Sequence, residues 1–79
     1  MEEKDIKTVI LESLSEYLGI NMEDIEIGDT LSGDLHMKPS DLTDLLEMLS
    51  QKGMNVSKVN LTEIHTVEAL IESISEEYI

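Results

Sequence analysis

Few residues in this 79-residue chain could do chemistry, and their types narrow the options at once. There is no cysteine, so no disulfide, thiolate metal site or thiol nucleophile can form. The two histidines, His36 and His65, have no evident third partner for a metal or a proton relay. His65, beside the helix cap predicted at Thr66, reads as structural or solvent-facing. Asp24, Glu26 and Asp29 could draw a divalent cation only weakly, because no Asp-x-Asp-x-Asp-Gly run with a closing Glu exists. No catalytic or metal-ligating residue is therefore assigned. One nucleophile stands apart: Ser40, within Asp34-Leu35-His36-Met37-Lys38-Pro39-Ser40-Asp41-Leu42. It reads as the N-cap of an acidic amphipathic helix. There an anionic group borne on the hydroxyl would meet free backbone N–H groups and the positive end of the helix dipole. The same placement also suits a plain cap, worth about 1 kcal/mol.

The elements that must position Ser40 are helical, and no convincing strand appears. A first helix is predicted from Glu3 to Leu18, where Ile6, Val9, Ile10, Leu14, Tyr17 and Leu18 recur at intervals of three and four. Gly19 ends it. A long connection from Ile20 to Pro39 carries Ile25, Ile27, Leu31 and Leu35 as anchors to a core, and a short helical turn is allowed near Glu23 to Ile25. The second helix takes Ser40 as cap, Asp41 and Asp44 in its first turn, and Leu42, Leu45, Leu46 and Leu49 as its apolar face. Lys52 and Gly53 close it. Pro39 is read as lying just before the cap. Leu61 to Ile64 suggest a short helical turn, and Thr66 caps a last helix from Val67 to about Tyr78, with Val67, Leu70, Ile71 and Ile74 inward.

Composition excludes whole classes of function. Eighteen acids face five lysines and no arginine, giving a formal charge of -13. Such a field repels nucleic acid and anionic lipid and speeds encounter with basic surfaces. The acidic start Met1-Glu2-Glu3-Lys4-Asp5 lacks the basic and apolar stretches of a signal peptide, and no run of about 18 apolar residues could span a membrane. A cytoplasmic, monomeric, single domain over residues 1–79 is the expectation, too small for a deep catalytic cavity.

Several words in order resemble the acyl carrier protein family across nearly the whole chain: Leu18-Gly19-Ile20, Met22-Glu23-Asp24-Ile25, Asp29-Thr30-Leu31, Gly33-Asp34-Leu35 and Ile64-His65-Thr66-Val67. The resemblance implies an all-α, small four-helix bundle with a long loop between helices 1 and 2 and a short third helix. In that family an Asp-Ser-Leu motif opens the second helix, and its serine carries 4'-phosphopantetheine, whose thiol holds an acyl group as a thioester. Counted without a gap from Leu18-Gly19, the family's serine falls on Pro39. One inserted residue between Leu35 and Pro39 brings Ser40 onto it and puts Asp41 where the family has leucine. His36 replaces the glycine usual after Asp-Leu, and Ser50 and Gln51 stand where the family is often acidic.

On this resemblance the chain is expected to be a carrier, not an enzyme. It would hold acyl groups on 4'-phosphopantetheine at Ser40 in fatty-acid, polyketide or related assembly. Asp41, Asp44 and Glu47, with Met48 alongside, would meet the basic surface of a phosphopantetheinyl transferase, synthase or acyl ligase. Two alternatives stay open: an unmodified carrier-like interaction or regulatory module, and an acidic mimic of nucleic acid.

Overall fold

The computed structural model describes residues 3–57 and 59–76. The apolar period of the first segment produces α1, Glu3–Leu18, with Ile6, Ile10 and Leu14 fully buried and Val9, Tyr17 and Leu18 packed at its margin. Gly19 follows at φ 71°, the left-handed residue that lets the chain leave the helix, and the N–H groups of Gly19 and Ile20 both donate to the Ser15 carbonyl. α2 spans Pro39–Gln51 and buries Leu42, Leu45 and Leu49; α3 spans Val67–Ser75 and buries Val67, Leu70 and Ile74. α1 packs against both.

The long connection is pinned rather than loose. A 3₁₀ turn at Met22–Asp24 starts it, and Ile25 and Leu31 anchor it in the core, with Leu35 half-buried. Ile27, expected as a fourth anchor, is 43% exposed. What holds residues 27–31 is the unpaired N-terminus of α3. Val67 N–H donates to the Asp29 carbonyl at 3.0 Å, Glu68 N–H to the Ile27 carbonyl at 2.8 Å, and Ala69 N–H to Thr66 Oγ1 at 3.1 Å. Leu31 N–H donates to the His65 carbonyl at 2.9 Å, and Thr30 and Thr66 form an isolated antiparallel bridge. The first three amides of α3 are thus satisfied by the loop and the cap, as a helix start requires.

The all-α architecture is as expected, with one difference: the segment expected to form a short third helix is a turn at 61–63. Asn60 Oδ1 accepts from both the N–H and the hydroxyl of Thr62, and Asn55 Oδ1 does the same for Ser57. These side-chain-closed turns compete with helical pairing and hold the segment in its own shape. Met54 and Ile64 are buried at its ends. The end of the last helix, expected at Tyr78, lies outside the described residues.

Candidate functional site

Pro39, not Ser40, governs where α2 begins. The ring of Pro39 disfavours helical backbone at the residue before it, so Lys38 is extended at φ -92° and ψ 164° and takes the N-cap position. Pro39 is then the first helical residue, where its missing N–H costs nothing and its fixed φ suits the helix. Ser40 is therefore the second helical residue and not the cap expected from the sequence. The signal that could have given this is the enrichment of proline at the first helical position.

Lysine has no acceptor in its side chain, so Asp41 closes the turn from the other side. Asp41 Oδ2 accepts from Lys38 N–H at 2.8 Å, while Asp41 N–H donates to the Lys38 carbonyl at 2.9 Å. A third group joins from α1: Tyr17 Oη–H reaches Asp41 Oδ1 at 2.9 Å and Asp44 Oδ2 at 3.2 Å. The Lys38 N–H and the Tyr17 hydroxyl hold the Asp41 carboxyl below the usual carboxylate range. In return Asp41, more than Asp44, pushes the Tyr17 hydroxyl up to about 12. The sequence put Tyr17 on the apolar stripe. Its ring packs there, but its hydroxyl serves the head of α2, which the helical period does not reveal.

Ser40 is exposed, and neither its hydroxyl nor its N–H has a partner among the described residues. It follows Lys38 by two residues. Asp41 comes next, but side chains one apart on a helix diverge by about 100°, and both Asp41 oxygens are engaged as above. A free primary hydroxyl and a free amide at the positive end of the helix fit a phosphodiester esterified at Ser40. Pro39, which has no hydroxyl, could not hold one.

Beside this turn lies a groove of about 180 Å³ lined by Leu31, Ser32, Met37, Pro39, Leu42, Leu61, Ile64 and His65. His65 is placed in its wall, whereas His36 is not among the lining. His36 is exposed at φ 57°, the left-handed backbone a glycine takes most easily. Met37 and Met54 are buried, and Met22 and Met48 are half-buried. Asp44 and Glu47 are exposed on α2, while Asp41 is half-buried under Tyr17. Among the described residues, no three acidic or histidine side chains are grouped to hold a metal ion. The carboxylate of Asp29 instead accepts from Glu26 N–H at 2.9 Å.

A family model described as the phosphopantetheine attachment site matches residues 8–74. No curated protein matches the chain.

Proposed function

The chain belongs to the phosphopantetheine-attachment family, whose members are carriers and not catalysts, and on that premise we propose that Ser40 is the residue that holds the arm. In this family 4'-phosphopantetheine is covalently bound, and when present it supplies a thiol that carries an acyl group as a thioester. The observation that carries the reading is the head of α2: an exposed serine whose hydroxyl and N–H are both free of intramolecular partners. No base is needed beside it, because a separate transferase performs the ester-forming step. Ser40 N–H and the first-turn dipole favour the phosphodiester charge, and Lys38 offsets part of the field set by eighteen acids.

The cargo is an acyl group in fatty-acid, polyketide or related assembly. The groove beside Pro39, apolar on most of its wall, suits a short acyl or pantetheine segment folded back from Ser40. Asp44 and Glu47, with Asp41 and Met48 nearer the helix packing, form the face that meets basic surfaces of a transferase, synthase or ligase. The chain works as a single monomeric carrier domain in the cytoplasm; among the described residues no helix is long and apolar enough to cross a membrane.

A second reading is favoured by one observation. Pro39 opens α2, and in the ungapped count it stands where the family has its serine, with Lys38 where the family has aspartate. On that register the chain is an unmodified binding module. Intact mass separates the two after incubation with coenzyme A and a broad-specificity phosphopantetheinyl transferase. A single phosphopantetheine increment on the wild type, absent from Ser40→Ala, is the expected result. No increment, with an authentic carrier protein modified in the same tube, overturns the attachment reading.

A further inference from the structure

The head of α2 is held by a chain of bonds that starts on another helix. Tyr17 lies in the last turn of α1, twenty-four residues before Asp41. Its hydroxyl binds one oxygen of Asp41, and the other oxygen binds the N–H of Lys38, the residue that caps α2. Ser40 lies between Lys38 and Asp41, within the turn that this carboxylate closes. On the loop side Met37 N–H donates to the Leu31 carbonyl at 2.8 Å, and the N–H groups of Asp41 and Leu42 donate to the Lys38 carbonyl at 2.9 and 3.2 Å.

Two geometric facts set this contact apart from ordinary surface pairing. Among the described residues, Asp41 is the one first-turn residue whose side chain hydrogen-bonds both the entering loop and α1. The tie at the C-terminal end of α2 is built from different groups, Lys52 Nζ to the buried Ser13 Oγ at 2.9 Å and to Glu16 at 3.3 Å. One end therefore fixes the turn bearing Ser40, and the other fixes only helix packing. We infer that Tyr17 is a positioning residue for the modification of Ser40, its hydroxyl holding Asp41 so that the Lys38–Asp41 turn presents the serine in one orientation. This rests on the reading of Ser40 as the attachment residue. Tyr17 touches neither the serine nor, on this account, the transferase.

A positioning role and a docking role leave different kinetic marks. A loosened turn must be ordered after the transferase binds, so loss of the hydroxyl lowers kcat for modification and leaves KM unchanged or lower. A lost docking contact would raise KM instead. Tyr17→Phe keeps the ring in its packing and removes only the hydroxyl. Ser13→Ala is the control, because it removes the α1–α2 hydrogen bond made at the C-terminal end of α2.

The test uses the full chain. Amide exchange at Lys38 is measured in the unmodified protein, and phosphopantetheine transfer from coenzyme A is measured for wild type, Tyr17→Phe and Ser13→Ala. The expected result is faster Lys38 exchange in Tyr17→Phe alone, with kcat lowered roughly three- to tenfold at unchanged KM. Unchanged Lys38 exchange overturns the inference, as does faster exchange with an unaltered rate, or an equal loss in Ser13→Ala. Absence of any increment on the wild type overturns the attachment reading itself, and the wild-type lane distinguishes that failure from the others.

Discussion

Tyr17 Oη lies 2.9 Å from Asp41 Oδ1, and this bond joins the last turn of the first helix to the first turn of the second. It is a tie between a phenol that must keep its proton and a carboxylate that must have lost its own. Its working range of pH follows from those two requirements.

The Tyr17 pKa is raised from 10.0 to about 12, so its contribution to stability is complete below pH 10 and is lost as pH climbs through about 12. The Asp41 pKa is lowered from 3.8, so its contribution is complete above pH 3.8 and is lost as pH falls through the lowered value. Between these limits the tie is intact. The difference in tyrosinate absorbance between wild type and Tyr17→Phe should titrate with a midpoint near 12; an ordinary midpoint near 10 would mean the bond does not form in solution.

His36→Gly should stabilise the fold. His36 holds a left-handed backbone at φ 57°, where a side chain carries strain of about 1 kcal/mol or more, while glycine's added entropy in the unfolded chain returns part of the gain. A net rise of roughly 0.5 kcal/mol is expected from denaturant midpoints, and His36→Val should lose at least about 1 kcal/mol. A less stable His36→Gly protein would contradict the assignment.

Gly33→Ala should be costly for a reason specific to one neighbour. A Cβ at Gly33 would lie 2.6 Å from Thr30 Oγ1, which also accepts from Asp34 N–H at 2.9 Å and so cannot move freely. A loss of roughly 1–3 kcal/mol is expected. In a Thr30→Ala background the same change should cost clearly less, because the clashing atom is gone. Additive losses in that double-mutant cycle would show that the contact is not the cause.

Lys52→Met should destabilise more than Lys52→Met combined with Ser13→Ala. The single change strips the buried Ser13 hydroxyl of the ammonium that donates to it, at a cost of about 1–3 kcal/mol, or several degrees in Tm. The double change removes the orphaned group as well. Thermal melts of the three proteins decide it, and a double variant weaker than Lys52→Met would refute the pairing.

Local sequence rules reached far into this fold because its helices carry their own signals. The three-and-four spacing of Ile6, Ile10 and Leu14 gave α1 its buried face and the turn at Gly19 its end at Leu18, and Thr66 caps α3 through Ala69 N–H as its type predicts. Leu42, Leu45 and Leu49 are buried as a stripe of that period must be. Where two local rules competed, the stronger geometric constraint prevailed: the proline ring moved the helix start ahead of Ser40, although serine is the better cap. The turn at 61–63 likewise follows from Asn60 and Thr62 pairing with each other and not with a helix.

Charge, the absence of cysteine and arginine, the helical class and the one suggestive serine were determined by the sequence alone, since each depends on residue identity or on spacing within a few turns. Tertiary structure decided what depends on residues far apart in the chain. It put the Tyr17 hydroxyl on Asp41, fed the Asp29 and Ile27 carbonyls to the amides of α3, and formed the groove of Met37, Pro39, Leu61 and His65 beside Ser40. The reason is that periodicity reports which face of an element turns inward, whereas a hydrogen bond between elements depends on how those faces are brought together, which no short stretch of sequence encodes.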